Sequence, residues 1–353
     1  MRRVHPLATK PAGQPAIVHA AHRRLGWSLA PARRAGWTRR AALGTALATA
    51  VLLLGTACAP KLNLREVELR HGGRDREALL LLPDGDVEGK PLLLLLHGGG
   101  GSAAGLARHL RGQAKRLSRN AGWAIAFADG IGRSWNDGRV DVDAEAHRQG
   151  VDDVGALRAL VLQIAQRHGL DRGRIYVAGI SNGGFMAQRL ACEAADVFAA
   201  AVSVTAQMSV DLAPKCQPSR PIAVALINGT LDPIVPYGGG QVTLFGKPRG
   251  AIWSTDDTIA FWRRHNGCEG DPVEVATSPV DGADPTRGHS RVWRTCRGAA
   301  VGLVRVEGGG HTWPGAGPAL PEAIVGKTSS AFDVLSWMEA FVAPPAQAVD
   351  GGP

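Results

Sequence analysis

The sequence predicts an α/β fold in which helices cover both faces of a mostly parallel central sheet. Strand-like and helix-like segments alternate from Leu62 onwards, which is the pattern of consecutive β-α-β units. The run 91–96 is apolar throughout, as expected of a central strand that is buried on both faces. A Gly-Ile-Ser-Asn-Gly turn at 179–183 joins a strand pattern directly to a helix pattern. Together these observations indicate one large domain over residues 59–343.

Each element is assigned from its hydrophobic pattern. Short apolar runs bounded by turn residues predict strands, and apolar residues at a spacing of three and four predict helices, most clearly in Val151–His168. The predicted strands are Arg65–Arg70, Glu77–Leu82, Pro91–His97, Trp123–Ala128, Arg174–Ala178, Phe198–Val204, Ile222–Ile227, Arg291–Arg294 and Val301–Val306. The predicted helices are Ala104–Ser118, Val151–His168, Phe185–Ala191, Thr258–His265 and Ala331–Val342. The Pro/Gly/Ala-rich tail 344–353 is expected to be disordered.

The net charge of +9 belongs to the N-terminal segment alone. Residues 1–58 carry nine Lys and Arg and no Asp or Glu, whereas the rest of the chain carries 31 residues of each sign. A domain without a basic excess has no bulk charge that favours nucleic acid, so no nucleic-acid partner is expected.

Residues 1–58 are expected to be an export signal. Arg39 and Arg40 precede the apolar stretch Ala41–Ala57, which ends in small residues before Cys58 and resembles a bacterial lipobox, with Gly55 where Leu is usual. This pattern predicts an extracytoplasmic lipoprotein whose membrane contact is a lipid on Cys58. A plain cleaved signal and an uncleaved anchor remain alternatives, although about 17 residues is short for a span.

The other cysteines agree with export. Cys192, Cys216, Cys268 and Cys296 form an even set of four, which an oxidising compartment would allow to pair. Pairing of nearest neighbours, Cys192 with Cys216 and Cys268 with Cys296, is the expectation, and buried free thiols are the alternative. No Cys-x-x-Cys or clustered Cys/His spacing indicates zinc, so neither a metal nor a cofactor is expected.

Ser181 is the candidate nucleophile. It stands at the centre of the G-x-S-x-G turn, where a sharp change from strand to helix exposes a serine hydroxyl beside the N–H groups that begin the helix. Because the chain contains 46 glycines, a glycine-rich loop with an incidental serine is the alternative. The strand pattern before the turn and the helix pattern after it favour the nucleophile.

A nucleophilic serine needs an acid and a base, which follow it along the chain in the order Ser, Asp or Glu, His. Asp232 lies just beyond a predicted strand end, and His311 lies in a glycine-rich loop after another strand. The rival acids Asp256 and Asp257 look like a helix N-cap. The rival bases are less suitable, because His265 is expected inside a helix and His289 in a polar turn.

The oxyanion hole is expected from two places. The glycines that follow His97 leave backbone N–H groups free at Gly98 and Gly99, and the residue after the nucleophile, Asn182, supplies another. His97 itself precedes Ser181 and is expected to be structural. A phosphate-binding loop is a weaker reading, because no Gly-Lys-Ser/Thr follows.

Five blocks carry a resemblance to a known family. They are 97–99 (His-Gly-Gly), 134–138 (Ser-Trp-Asn-Asp-Gly), 179–184 (Gly-Ile-Ser-Asn-Gly-Gly), 228–232 (Asn-Gly-Thr-Leu-Asp) and 309–315 (Gly-Gly-His-Thr-Trp-Pro-Gly). In this order they resemble the secreted polyhydroxybutyrate-depolymerase-like and feruloyl esterases over roughly residues 62–342. The resemblance implies an α/β-hydrolase fold, the triad named above and two disulfides of the stated pairing. Many members have His-Gly where this chain has Asn228-Gly229.

The expected activity is hydrolysis of carboxylic esters. Soluble esters with short or aromatic acyl groups are expected, because no long amphipathic lid helix stands between the five blocks and no polymer-binding module follows. Trp135 and Trp313 lie in loops expected to border the site, where flat rings suit a sugar or phenolic ring. A serine peptidase and a non-catalytic binding lipoprotein are the alternatives.

Overall fold

A ten-stranded sheet runs through the computed structural model, which describes residues 62–277 and 284–343. The strands in chain order are β1 Leu64–His71, β2 Arg74–Leu81, β3 Leu92–Leu96, β4 Ala124–Ala128, β5 Ile175–Ile180, β6 Ala200–Val204, β7 Ala223–Gly229, β8 Gly240–Leu244, β9 Lys247–Ile252, β10 Val273–Thr277, β11 Arg287–Trp293 and β12 Val301–Glu307. The helices are α1 Ala103–His109, α2 Arg111–Ala121, α3 Glu145–Arg148, α4 Asp153–His168, α5 Asn182–Glu193, α6 Thr255–Asn266, α7 Glu322–Val325 and α8 Val334–Val342. Cys58, the proposed signal and the tail 344–353 lie outside the described residues.

The sheet order is β1-β2-β4-β3-β5-β6-β7-β12-β11-β10. Six consecutive strands of the sheet, β4-β3-β5-β6-β7-β12, are parallel to one another. Antiparallel strands extend the sheet at both edges, β1 and β2 on one side and β11 and β10 on the other. The mostly parallel sheet is therefore confirmed, and the carboxyl ends of the central strands meet at one edge. Strands β8 and β9 form a separate hairpin in the connection between β7 and α6.

The leucine run at β3 shows why helices cover both faces. All five leucines are 0% exposed. Leu92, Leu94 and Leu96 pack in a cluster with α4, α5 and α6, whereas Leu93 and Leu95 pack in a second cluster with α1, α2 and α8. Because successive strand residues point to opposite faces, a strand between two helix layers must be apolar at every position.

Several predicted elements differ from those observed. The helix predicted over Ala104–Ser118 is two helices that meet at Leu110, and the β8–β9 hairpin and β10 were not predicted. The hairpin carries glycines and Pro248, so its sequence lacks a clear strand pattern. The placement of His289 in a turn is wrong, because it lies within β11.

Both expected disulfides are present. Cys192 pairs with Cys216, and Cys268 pairs with Cys296, which excludes the alternative of free thiols in this structure. The first disulfide joins the carboxyl end of α5 to the segment before β7. It therefore fixes one end of the helix whose other end follows Ser181. Within 62–277 and 284–343, none of the helices has the length and hydropathy needed to cross a bilayer.

Candidate active site

The turn at Ser181 has the backbone of a strained elbow. Ser181 has φ 56° and ψ −120°, a conformation that non-glycine residues rarely adopt. A Cβ on Gly179 would overlap the carbonyl oxygen of Gly183, and a Cβ on Gly183 would overlap that of Leu96 in β3. Only glycine fits at either position, which explains the spacing of the motif. Ser181 N–H donates to Val204 O of β6 at 2.9 Å and fixes the turn against the sheet.

The loop after β3 lies directly beside this turn. A Cβ on Gly98 would be 3.4 Å from Cβ of Ser181, and a Cβ on Gly99 would be 3.8 Å from Cβ of Asn182. In the part of the chain that the structure describes, the backbone N–H groups of Gly98, Gly99 and Asn182 donate to no protein acceptor. Free N–H groups beside a serine hydroxyl can receive a developing oxyanion.

Asp232 and His311 form a buried pair at the same edge of the sheet. His311 Nδ1 lies 2.8 Å from Asp232 Oδ2, and the two side chains are 9% and 2% exposed. Asp232 Oδ1 accepts the N–H groups of Ile234 and Val235, both at 2.8 Å. Because a carboxylate only accepts, Nδ1 of His311 is the donor in this contact.

The loops that carry Asp232 and His311 are joined by backbone contacts. Leu231 N–H donates to Gly309 O at 2.9 Å, and Gly308 N–H donates to Oγ1 of Thr230 at 3.0 Å. These contacts fix the two loops to each other, so the distance between Asp232 and His311 is maintained. Among the described residues, no hydrogen bond joins the Ser181 hydroxyl to His311. Such bonds are often long in structures without substrate.

The rival acids and bases lie elsewhere. Ser254 is the N-cap of α6: its Oγ accepts the N–H of Asp257 at 3.0 Å and donates to Oδ2 of Asp257 at 2.6 Å. Asp256 and Asp257 therefore occupy the first turn rather than the cap itself. His265 lies in α6, and His289 lies in β11 beside Glu307.

The expectation that Trp135 and Trp313 border the site is wrong. Their exposed fractions are 0% and 1%, so neither ring is available to a substrate. Trp135 Nε1 donates to His97 O at 2.8 Å, and Trp313 Nε1 donates to Oε1 of Gln113 in α2 at 3.0 Å. A tryptophan in a glycine-rich loop can equally anchor that loop to the core, and both residues do so here.

His97 has the structural role expected of it. Its Nδ1 lies 2.8 Å from Gly98 O, and its Nε2 accepts the N–H of Gly130 at 3.1 Å. Since a carbonyl oxygen only accepts, Nδ1 donates and the ring is neutral. Burial lowers the pKa of His97, which agrees with this state. The neutral ring holds the loop that presents Gly98.

A group of polar side chains that the sequence patterns do not predict lies beneath the elbow. The side chain of Asn182, Asp137, Arg139 and His147 form a buried network behind the turn. The signal available was the Ser-Trp-Asn-Asp-Gly block, which contains Asp137.

Comparisons with known proteins define the class. Residues 76–247 match the family described as Esterase PHB depolymerase. The chain is 35% identical over 258 residues to "Putative esterase NocK" of Nocardia uniformis subsp. tsuyamanensis, covering 68% of this chain and 70% of that protein. It is 31% identical over 246 residues to feruloyl esterase B of Piromyces equi, covering 67% of this chain but only 42% of that protein.

A solved structure supports the fold. The acetyl xylan esterase from Aspergillus awamori aligns with a TM-score of 0.51 over 70% of this chain and 94% of that one, at 13% identity. The fold and these relatives define an α/β-hydrolase that acts on ester bonds. The chain belongs to the PHB depolymerase esterase family. This confirms the family resemblance that the sequence blocks predict.

Replacing Gly183 by Ala should damage the elbow. The new Cβ would overlap backbone oxygens of Leu96 and His97, which cannot move without displacing β3. We expect a loss of about 1–3 kcal/mol in the free energy of unfolding and a clear fall in kcat. Urea denaturation and hydrolysis of p-nitrophenyl acetate measure the two effects.

Gly238→Ala is the matched control, because a Cβ there meets nothing within 4 Å. It should leave both quantities unchanged. If Gly183→Ala behaved like this control, the close packing of the elbow against β3 would not limit activity.

Proposed function

We propose that the chain is an exported serine carboxylesterase with Ser181 as nucleophile, His311 as base and Asp232 as orienting acid. The contact that supports this most directly is the 2.8 Å hydrogen bond between His311 and Asp232. Both residues follow strands that end at the same edge of the sheet as the strained turn at Ser181. The catalytic domain is residues 59–343.

The reaction would proceed through an acyl-enzyme. Ser181 Oγ attacks the ester carbonyl while its proton passes to Nε2 of His311, and Asp232 stabilises the resulting imidazolium. The N–H groups of Asn182 and the Gly98–Gly99 segment receive the negative oxygen. His311 then protonates the leaving alcohol as the C–O bond breaks. Water, deprotonated by His311, hydrolyses the acyl-enzyme and restores Ser181.

Removal of any triad member should abolish most of the activity. Ser181→Ala and His311→Ala should lower kcat by about 10⁴-fold or more, and Asp232→Asn should do so by a smaller but still large factor. The effects should not add in double variants, because the three residues act as a unit. Ester hydrolysis and covalent labelling by a fluorophosphonate measure this.

Asp256→Asn and Asp257→Asn are the controls, since both residues lie in the first turn of α6. Their activity should stay near that of the unchanged enzyme. Near-normal rates for Asp232→Asn together with inactive Asp256→Asn or Asp257→Asn would reassign the acid.

Export with a lipid anchor is the second part of the proposal. Two disulfides favour an oxidising compartment. The small residues before Cys58 resemble a lipobox, so Cys58 is the proposed site of the lipid.

The mature protein should begin at a lipidated Cys58. Mass spectrometry of the N-terminal peptide from the membrane fraction measures the start and the modification. Cys58→Ala should release the protein or block its processing without changing kcat of the folded enzyme. A different N-terminus, or an unmodified Cys58, would contradict the lipid anchor while leaving the esterase assignment intact.

Short or aromatic acyl groups are the proposed substrates, as acetyl, hydroxybutyryl-oligomer or feruloyl esters. The feruloyl esterase name of one relative supports an aromatic acyl group. The short elements α3 and α7 are also unlike the long amphipathic helix that covers a lipase site. With Trp135 and Trp313 buried, selectivity has to come from other side chains. Leu231, beside Asp232, is 68% exposed and offers an apolar surface there.

Rates across an ester panel should separate these classes. We expect kcat/KM to be higher for p-nitrophenyl acetate and butyrate, methyl ferulate and a hydroxybutyrate trimer than for p-nitrophenyl palmitate. A peptide p-nitroanilide tests the peptidase alternative and should be a poor substrate. Palmitate as the best substrate would indicate a lipase instead.

A further inference from the structure

The side chain of Asn182 is fully engaged beneath the elbow. Its Oδ1 accepts the N–H of Trp135 at 2.8 Å, and its Nδ2 donates to Trp135 O at 2.9 Å and to Oδ2 of Asp137 at 2.6 Å. Asn182 is 7% exposed and Asp137 is 1% exposed, so water does not compete for these contacts. The backbone N–H of the same residue is one of the proposed oxyanion donors.

Trp135 extends the connection to the other side of the oxyanion hole. Its indole Nε1 donates to His97 O at 2.8 Å, and its ring lies 5.0 Å from the His97 ring. His97 immediately precedes Gly98, the first proposed donor from the loop after β3. An unbroken series of hydrogen bonds therefore runs from Asn182 through Trp135 to the loop of Gly98.

Asp137 is a buried carboxylate that takes no part in the proton transfers of the proposed reaction. Burial alone would raise its pKa, but Arg139 at 2.6 Å and His147 at 3.1 Å outweigh this and hold the pKa of Asp137 well below its usual range. Arg139 also stacks on the ring of Phe185 in α5, with 3.9 Å between its Cζ atom and the ring centroid. A charged acceptor thus faces the Asn182 amide and holds its orientation.

We propose that Asp137 and the side chain of Asn182 are positioning residues, which fix the distance between the two halves of the oxyanion hole. The inference rests on the proposed serine mechanism. Without these contacts the turn at Asn182 and the loop at Gly98 are joined by fewer constraints, and their N–H groups no longer converge on one point. A donor that is displaced by a fraction of an ångström stabilises the transition state less, while binding of the planar ester changes little.

Kinetics of Asn182→Ala and Asp137→Ala test the proposal. We expect kcat on p-nitrophenyl acetate to fall by about 10–100-fold with KM within about threefold, below the loss from deleting a whole donor. Phenylboronic acid, which forms a tetrahedral adduct with an activated serine, should bind more weakly by a similar factor. Asp137→Asn keeps an acceptor oxygen for Asn182, so its kcat should recover to within about fivefold of the unchanged enzyme.

A double variant tests whether the two residues act through their contact. Asn182→Ala combined with Asp137→Ala should lower kcat hardly more than either change alone, because the first change already breaks the shared hydrogen bond. Multiplied losses would show two independent effects and would overturn the proposal.

Asn266→Ala is the matched control for lost stability. Asn266 is also a buried amide, 1% exposed, and its Nδ2 donates to Ile222 O at 2.8 Å and Ala299 O at 2.9 Å, before the amino ends of β7 and β12. It should lower the unfolding temperature but leave kcat and boronate affinity unchanged. Assays are run below the unfolding temperature of every variant.

The outcomes separate the inference from the function on which it rests. If Ser181→Ala stays active, or the fluorophosphonate fails to label Ser181 in the unchanged enzyme, the serine mechanism is wrong. If the enzyme labels at Ser181 but Asn182→Ala and Asp137→Ala keep normal kcat and boronate affinity, only the positioning role is wrong. Equal losses of kcat in Asn266→Ala would reduce that role to general stability.

Discussion

The close approach of the Ser181 turn to strand β3 is the constraint on which the rest of the site depends. Gly183 has no room for a Cβ, because the backbone oxygens of Leu96 and His97 occupy that space. The same proximity brings the loop of Gly98 beside Ser181. Two segments about 80 residues apart in sequence therefore meet at one point. Parallel pairing of β3 with β5 places Leu96 opposite Gly179. This register sets the position of the two segments relative to each other along the strand direction.

Buried charged side chains hold the loop that packs against the turn at Ser181. Asp153 pairs with Arg76 at 2.7 Å, the two side chains being 0% and 4% exposed, and its other oxygen accepts the N–H of Asn136 at 2.7 Å. Asp137 of the same loop accepts the N–H of Arg139 at 3.2 Å and the side-chain amide of Asn182 at 2.6 Å. A buried ion pair is a weak source of stability, because desolvation offsets the attraction. The hydrogen bonds of Asp153 do, however, specify one position for the loop that carries Asn136 and Asp137. That position determines the orientation of the Asn182 side chain.

The apolar layers and the disulfides hold the scaffold around these polar contacts. Helix α5 begins directly after Ser181, and ten of its residues are buried. Five of them, from Met186 to Cys192, pack in the cluster that contains α4 and α6, and Phe185 packs in a smaller cluster with the β8–β9 hairpin. The Cys192–Cys216 disulfide fixes the far end of α5. A helix held at both ends and along its length cannot rotate freely, so the N–H groups at its start keep their direction. This rigidity suits the oxyanion hole that we propose.

The sequence by itself determined the features whose cause is local. The apolar leucine run predicts a strand buried on both faces, and the glycine spacing around Ser181 predicts the elbow; the structure confirms both. Tertiary structure alone decided the environment of side chains in irregular loops. Trp135 and Trp313 are expected to border the site and are buried. An aromatic residue in a loop can be exposed or can anchor the loop to the core, and only the surrounding elements decide which. The contact between Asn182 and Asp137 joins residues 45 positions apart, so no local pattern could reveal it.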